Sequence, residues 1–217
     1  MLKRLFDVLC ALAALLVLSP VLLGLALFIK MSSPGPVFYR GVRIGLHGRP
    51  FRIFKFRSMV INAEQLGGAS TADGDRRITA IGRVLRKTKL DELPQLLNVL
   101  AGDMSFVGPR PEVQQYVDMY TEEEKAILTV RPGITDWASL WNPDEGAVLA
   151  GATDPERAYL ELIRPQKLKW QLAYVRERSF LVDLSILART FWTVVSRRTP
   201  PALMDTSAPP LSGVKRG

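Results

Sequence analysis

The longest apolar stretch of the chain is residues 8–29, which carry no charged side chain. A straight helix of this length spans about 33 Å, enough to cross a hydrocarbon core of about 30 Å. A secretory signal peptide also has a basic start, but its apolar run covers only about 7–15 residues and ends in a small-residue cleavage site. No such site follows here, so the pattern predicts a helix that stays in the membrane.

A serine and a proline interrupt this stretch at Ser19 and Pro20. Proline breaks the helical hydrogen-bond ladder, which leaves two parts that each reach about 15–18 Å into the bilayer. We expect the Ser19 hydroxyl to bond back to the backbone there. Basic residues flank the stretch on both sides, and both flanks favour the cytoplasmic face. A re-entrant helix places both basic flanks on the cytoplasmic face, whereas a kinked spanning helix places only one of them there. The residues alone leave both topologies open.

The remaining pattern indicates short strands and several helices. Residues 51–57 are rich in strand formers, and alternation would place Lys55 and Arg57 on one face. Asp154 followed by proline marks a helix start. Apolar residues recur at helical spacing in three segments, residues 76–89, 166–178 and 183–196. The prediction is a mostly α fold with a few short strands (α+β).

Positive charge is concentrated in one part of the chain. The net charge is +8, and residues 40–89 hold twelve lysines and arginines against three acidic residues. This favours an anionic partner, either nucleic acid, phospholipid or a phosphorylated substrate. A basic amphipathic helix within residues 76–89 would lie on an anionic bilayer, although it also fits the solvated face of a soluble helix. A single cysteine and a single histidine exclude an internal disulfide framework and a cysteine-based zinc cluster.

The sharpest local feature is the acidic pair Asp91 and Glu92 in the segment LDELP. Pro94 suits a first helical position, which places both carboxylates just before a helix N-terminus. The helix dipole and the basic run upstream should lower both pKa values, so that both side chains are ionised at neutral pH. Ionised carboxylates suit a nucleophile or a Mg²⁺ ligand. On spacing alone, simple capping charges are the favoured explanation.

Two turn-rich segments follow, GPRP at residues 108–111 and RPGIT at residues 131–135. Neighbouring prolines restrain Arg110 and Arg131, and a rigid guanidinium is well suited to binding phosphate. Each segment also fits an ordinary turn with a surface arginine. The chain has no Walker-type loop and no dinucleotide-binding glycine fingerprint.

The order of these blocks resembles the bacterial sugar transferases, in particular the short form of the monotopic initiating phosphoglycosyl transferases. The resemblance covers nearly the whole chain, about residues 1–196. It is carried by Ser19-Pro20 and six further blocks, FKFRSM at 54–59, IGRVLR at 81–86, LDELPQLLNVL at 90–100, GDMS at 102–105, GPRP at 108–111 and RPGIT at 131–135.

The resemblance implies transfer of a sugar-1-phosphate from a UDP-sugar to undecaprenyl (polyprenyl) phosphate, with release of UMP. Asp91 would form a covalent phospho-sugar intermediate, and both Asp91 and Glu92 would hold Mg²⁺. The substrate-binding candidates are Lys55, Arg57, Arg86, Arg110, Pro111 and Arg131. The protein would lie on the cytoplasmic face of the bacterial inner membrane, in contact with phospholipid, and would start exopolysaccharide, O-antigen, capsule or other glycan assembly.

The resemblance also divides the chain. Residues 1–32 would form the re-entrant membrane helix, residues 33–196 a small cytosolic catalytic domain with amphipathic interfacial helices, and residues 197–217 a disordered tail. The chain departs from the family pattern at Asp136 and in a Gly-rich insert at 142–153. The sugar, the pathway and the formation of a homo-oligomer stay open. The alternative is a membrane-anchored basic binding or scaffold protein without catalysis; nucleic acid is not an expected partner, because no groove-reading motif is present.

Overall fold

Helices dominate the computed structural model, which describes residues 2–196. The helices are α1 (Leu2–Ser32), α2 (Ala63–Leu66), α3 (Ala80–Thr88), α4 (Leu96–Ala101), α5 (Gln114–Val117), α6 (Trp137–Trp141), α7 (Glu145–Val148), α8 (Pro155–Ala158), α9 (Arg164–Glu177) and α10 (Phe180–Ser196). The strands are β1 (Phe38–Tyr39), β2 (Val42–Ile44), β3 (Pro50–Arg52), β4 (Lys55–Phe56), β5 (Ser105–Val107) and β6 (Gly133–Thr135). The predicted mostly α fold with a few short strands is confirmed. The predicted tail, residues 197–217, lies outside the described residues.

Helix α1 contains 31 residues and continues through Pro20. The Ser19 hydroxyl donates to the carbonyl of Leu16 at 2.8 Å, which confirms the expected bond back to the backbone. Within residues 2–196, α1 is the one helix that is long and apolar enough to cross a membrane. The predicted break at Ser19 and Pro20 therefore does not interrupt the helix.

Both ends of α1 pack against the rest of the protein. Near the N-terminus, Lys3 donates to the carbonyl of Val107 at 2.9 Å and pairs with Asp183 on α10. Near the C-terminus, Ile29 is fully buried in a cluster with Phe56 and Leu85. The apolar side chains between these ends are largely exposed, among them Leu5, Leu9, Leu16, Val17, Leu23 and Leu27. A long apolar surface is thus carried on a helix that is anchored at both ends.

The strands form three two-stranded sheets. Strands β1 and β4 pair antiparallel, β2 and β3 pair antiparallel, and β5 and β6 pair parallel. Sequence analysis predicted one strand over residues 51–57, but the structure splits this segment into β3 and β4. The split has a clear cause, because the backbone N–H of Phe54 bonds the side-chain oxygen of Asn98 at 2.8 Å instead of a neighbouring strand.

Local capping signals explain where several helices begin. The basic helix predicted over residues 76–89 is shorter, because Thr79 caps α3 by accepting from the N–H of Gly82. Arg77 lies outside α3 and pairs with Asp75. Asp154 caps α8 by accepting from the N–H of Arg157, as predicted.

The main core lies behind β5 and β6. It joins α6, α9 and α10 through the side chains of Val107, Trp137, Trp170, Tyr174 and Ile186. This core packs beneath the segments that follow β5 and β6. Tertiary packing therefore helps to fix the positions of those segments.

Candidate active site

The acidic pair lies in a tight helical turn. Asp91 and Glu92 are in the first turn of a 3-10 helix, Leu90–Gln95, that runs directly into α4. The predicted helix start at Pro94 is therefore wrong by four residues. Lys89, in the left-handed region at φ 58°, separates α3 from this turn. The helix N-terminus and the two carboxylates are thus held close to the basic helix α3.

Two cations hold the Glu92 carboxylate. Lys55 Nζ on β4 lies 2.8 Å from Glu92 Oε1, and the Arg110 guanidinium bonds both oxygens, at 3.2 Å to Oε2 and by a shorter contact to Oε1. Burial alone would raise the pKa of Glu92, but Arg110 and Lys55 outweigh it and hold that pKa well below its usual value. Burial lowers the pKa of Lys55, with Glu92 opposing, whereas Glu92 raises the pKa of Arg110. Glu92 is therefore a firmly ionised counter-ion.

Asp91 has a different environment. Its side chain is 6% exposed, and it makes no hydrogen bond or ion pair with any of residues 2–196. Burial raises the pKa of Asp91, although the charges of Lys55 and Arg86 act against that rise. The expectation that both carboxylates have lowered pKa values is confirmed for Glu92 and wrong for Asp91. The difference arises because both carboxylates are buried but only Glu92 is ion-paired with Lys55 and Arg110.

Buried polar side chains position the two cations. Asn98, which is fully buried, accepts from the N–H of Phe54 and donates to the carbonyl of Arg52, so it fastens the strand that carries Lys55 onto α4. Asp136 is also fully buried, and it accepts from the backbone N–H of Arg110 at 3.2 Å. Sequence analysis missed Asn98, although an asparagine within the apolar run LLNVL is the kind of signal that marks such a residue.

Close backbone contact joins the two proline-rich segments. A Cβ on Gly108 would lie 2.3 Å from the carbonyl oxygen of Arg131, and a Cβ on Gly133 would lie 2.1 Å from the nitrogen of Gly108. Both positions therefore require glycine. The contact places GPRP and RPGIT side by side at the ends of β5 and β6, and it directs Arg110 toward Glu92.

The other predicted binding residues lie in several places. Arg86, half-buried on α3, is near enough to lower the pKa of Asp91. Pro111 follows Arg110 and lines a narrow cleft with it. Arg57 instead donates to the carbonyls of Ser33 and Pro34 after α1. Arg131 Nε donates to the carbonyl of Gly102 at 2.9 Å, and its side chain lines a separate cavity. The structure brings Lys55, Arg86 and Arg110 to the acidic pair, but not Arg57 or Arg131.

The insert at 142–153 also reaches this region. Glu145 on α7 lies 3.0 Å from Lys167 Nζ, which bonds Glu112 at 2.7 Å on its other side. Burial alone would raise the pKa of Glu145, but Lys167 and Arg110 outweigh it and lower that pKa. Nothing in the sequence pattern indicated this placement, because it depends on the buried Lys167 on α9.

The available ligand side chains determine which kind of metal site the protein can form. Within residues 2–196 no group of three or more His, Cys, Asp or Glu side chains is arranged to hold a metal ion. Mg²⁺ in phosphoryl-transfer enzymes is commonly held by one or two carboxylates together with substrate phosphates. Among residues 2–196 the Asp91 carboxylate has no hydrogen bond or ion pair and fits this mode, whereas both Glu92 oxygens are bonded to cations.

The chain was compared with known proteins. The family model for bacterial sugar transferases matches residues 1–197. The chain is 40% identical to an Aeromonas hydrophila UDP-N-acetylgalactosamine-undecaprenyl-phosphate N-acetylgalactosaminephosphotransferase, over 89% of this chain and 44% of that protein. It is 39% identical to the Escherichia coli K12 UDP-glucose:undecaprenyl-phosphate glucose-1-phosphate transferase, over 88% of this chain and 39% of that protein.

A further relative matches along nearly its whole length. The Rhizobium leguminosarum exopolysaccharide production protein PSS is 40% identical, over 91% of this chain and 96% of that protein. The chain thus spans less than half the length of the first two relatives and most of the third. With the family model covering all the segments that form the acidic site, the protein belongs to the bacterial sugar transferase family.

Proposed function

We propose that this protein transfers a sugar-1-phosphate from a UDP-sugar to undecaprenyl phosphate, with UMP as the second product. The observation that carries the proposal is the Asp91 carboxylate, unpaired among the described residues yet surrounded by the charges of Lys55, Arg86 and Arg110. Such a group can attack phosphorus, and the cations beside it can bind the charge of a diphosphate. The names of the Aeromonas and Escherichia relatives support the same reaction.

The reaction would take two displacement steps at one phosphorus. An Asp91 oxygen forms a bond to the phosphorus that carries the sugar, the bond to the bridging diphosphate oxygen breaks, and UMP leaves with the electron pair. A phosphate oxygen of undecaprenyl phosphate then attacks the same phosphorus and releases the Asp91 carboxylate. The burial that raises the pKa of Asp91 also removes water from the attacking oxygen.

Glu92 would hold the phosphate-binding cations ready for the substrate. Lys55 and Arg110 are ion-paired with Glu92 in this structure, so they stay charged and oriented without a ligand. A diphosphate offers the same cations a second anion of higher charge. Contact of these cations with the diphosphate would leave the Glu92 oxygens available to hold a metal ion.

Mg²⁺ is the proposed cofactor. Asp91 would hold the ion, and Glu92 would be a second ligand when Lys55 or Arg110 contacts the substrate diphosphate. The bound ion would neutralise charge on the diphosphate and stabilise the leaving UMP.

We also propose that α1 is re-entrant and holds the protein on the cytoplasmic face of the inner membrane. A straight helix of 31 residues is about 46 Å long, and a spanning one would carry one end away from the domain. Instead, Lys3 bonds the domain at one end and Ile29 is buried in it at the other. This arrangement supports a helix that bends at Ser19 and Pro20, so that it enters and leaves the bilayer on one side. The acceptor phosphate then lies at the depth of the active site.

UMP release tests the proposed reaction directly. Purified protein in nanodiscs would be incubated with Mg²⁺, undecaprenyl phosphate and each member of a panel of UDP-sugars. Asp91→Asn would be assayed in parallel, with Asp118→Asn, an exposed carboxylate of α5's C-terminus, as the matched control.

Release that needs the lipid, the metal and Asp91, and that Asp118→Asn retains, is the expected result. Release that persists in Asp91→Asn contradicts the assigned nucleophile. Folded protein that releases no UMP with any sugar contradicts the reaction and favours a binding or scaffold role.

A further inference from the structure

A cavity separate from the acidic pair lies where the N-terminal ends of α1 and α10 meet. Its volume is about 470 Å³, within the range of about 300–1,000 Å³ that is typical of ligand pockets. Its lining includes Lys3 and Arg4 from α1, Arg131 from the RPGIT segment and Arg178 from the turn before α10. The proposed reaction uses none of these four basic residues.

The charge of this cavity is only partly balanced. The lysine and three arginines that line it face two carboxylates, Asp7 and Asp183, and Asp183 is already paired with Lys3 at 2.5 Å. Among residues 2–196, no carboxylate forms an ion pair with Arg4, Arg131 or Arg178. The cavity therefore has excess positive charge with guanidinium donors left for an anion.

Backbone carbonyls hold two of these arginines in place. Arg4 donates to the carbonyls of Val99 and Leu100, and Arg131 donates to that of Gly102. All three carbonyls belong to the C-terminal end of α4, where the helix dipole favours cations. The two guanidiniums are therefore positioned without a neutralising carboxylate. Arg178 is exposed at the rim and has no hydrogen bond within the described chain.

The surroundings of the cavity are apolar. Phe6 on α1 packs edge-to-face on Phe180 on α10, with ring centroids 5.5 Å apart, and joins the two helices at this point. The same helices expose large aliphatic side chains nearby in sequence, namely Leu2, Leu5 and Leu9 on α1 and Leu181 and Leu184 on α10. A basic cavity whose lining residues on α1 and α10 lie close in sequence to exposed leucines matches an amphiphile with an anionic head and apolar chains.

We infer that this cavity binds the phosphate headgroup of an anionic phospholipid, at a site separate from the acidic pair. The inference rests on the proposed placement of α1 in the bilayer. A lipid held here would fix the depth and tilt of α1 relative to the catalytic domain, because Lys3 and Arg4 belong to the helix and Arg131 to the domain.

The single histidine of the chain provides the test, because His47 lines this cavity. Untagged protein labelled with ¹⁵N only at histidine gives one imidazole, so its NMR signals report on the cavity without assignment. The protein, held in zwitterionic detergent, would be titrated with short-chain phosphatidylglycerol, short-chain phosphatidylcholine and inorganic phosphate. Arg178→Gln removes a cavity charge, and Arg176→Gln is the matched control, because Arg176 pairs with Glu123 on the exposed surface instead.

We expect a saturable shift of the His47 signals with phosphatidylglycerol, an affinity about tenfold weaker in Arg178→Gln, and no change in Arg176→Gln. No saturable shift, or equal affinity for phosphatidylcholine, overturns the inference. Equal affinity for inorganic phosphate also overturns it, in favour of a free-phosphate site. UMP release measured on the same sample separates the two proposals: release without a His47 response contradicts only the lipid site, and a His47 response without release contradicts only the reaction.

Discussion

Asp91 and Glu92 are adjacent in the chain, yet Glu92 is bonded by two cations while Asp91 has no hydrogen bond or ion pair with any described residue. The consequence is a division of roles. Glu92 keeps Lys55 and Arg110 charged and oriented. Asp91 stays buried with raised pKa, which leaves its oxygens available for a reaction.

The first prediction is that amide substitutions of these neighbours have opposite effects on stability. Burial raises the pKa of Asp91, so its ionised form destabilises the folded state above that pKa, and Asp91→Asn should raise the melting temperature at neutral pH by a few degrees. Glu92→Gln leaves two buried cations without a counter-ion and should lower the free energy of unfolding by about 3 kcal/mol. Thermal and urea unfolding of both variants measure this. A loss of stability in Asp91→Asn would contradict the environment described for that carboxylate.

The second prediction concerns pH. The reaction needs the Asp91 carboxylate, which is lost as the pH falls through its pKa. Because burial raises that pKa above 3.8 when no metal is bound, the acid limb of kcat/KM measured at low Mg²⁺ concentration should lie at higher pH than an ordinary aspartate would give. The pKa of Glu92 is lowered, so Glu92 stays ionised across this range. The profile would be recorded by UMP release, with circular dichroism confirming that the protein stays folded. An acid limb at or below 3.8 would count against Asp91 as the titrating group.

The third prediction concerns Arg110, whose guanidinium bonds both oxygens of Glu92. Lysine keeps the charge but cannot form this forked contact. Arg110→Lys should therefore reduce kcat/KM by about 10–100-fold, since one hydrogen bond to a charged group is worth about 1.5–3 kcal/mol. Arg157→Lys is the control, because Arg157 forms an exposed pair with Glu161. Wild-type kcat/KM in Arg110→Lys would show that charge alone suffices.

The fourth prediction concerns Asp136, which is fully buried next to Arg110. Its buried carboxylate caps α6 through Ser139 and accepts from Arg110 and Gln171. Asp136→Ala should cost about 2–4 kcal/mol in urea unfolding, because buried donors lose their acceptor. Asp154→Ala removes an exposed cap and should cost only about 1 kcal/mol. Equal losses in the two variants would mean that the buried network adds nothing beyond a cap.

The fifth prediction concerns the topology of α1. Cysteines would be introduced singly at Leu2, Val17 and Pro36 after Cys10→Ala removes the natural thiol. If α1 is re-entrant, an impermeant maleimide should label positions 2 and 36 only after cells are opened, and position 17 should stay protected by lipid. Labelling of either terminal position in intact cells would establish a spanning helix instead.

Part of this site follows from the sequence. The acidic pair, Lys55 and Arg110 were predicted because their types and motif order indicate phosphate chemistry, and the structure brings them together. The structure does not bring the other predicted binding residues, Arg57 and Arg131, to the acidic pair, because their side chains bond the carbonyls of Ser33 and Gly102 instead. Those contacts arise from tertiary packing, which the local sequence pattern does not predict.

Burial explains the remaining differences. A helix dipole acts on Asp91 and Glu92 alike, and only the folded structure shows that Glu92 alone is ion-paired with Lys55 and Arg110. The placement of Glu145 likewise depends on Lys167, a lysine buried on α9 that the sequence pattern did not single out. Helix lengths were overestimated where a cap such as Thr79 starts the helix late.

The covalent intermediate on Asp91 is the claim that one measurement tests most directly. Intact-mass spectrometry of the protein with Mg²⁺ and its UDP-sugar, without undecaprenyl phosphate, would look for an added sugar phosphate, and peptide mapping would locate it. We predict an adduct on Asp91 that disappears when undecaprenyl phosphate is added and that never forms in Asp91→Asn. Full turnover with no adduct at Asp91, or an adduct on another residue, would contradict the mechanism.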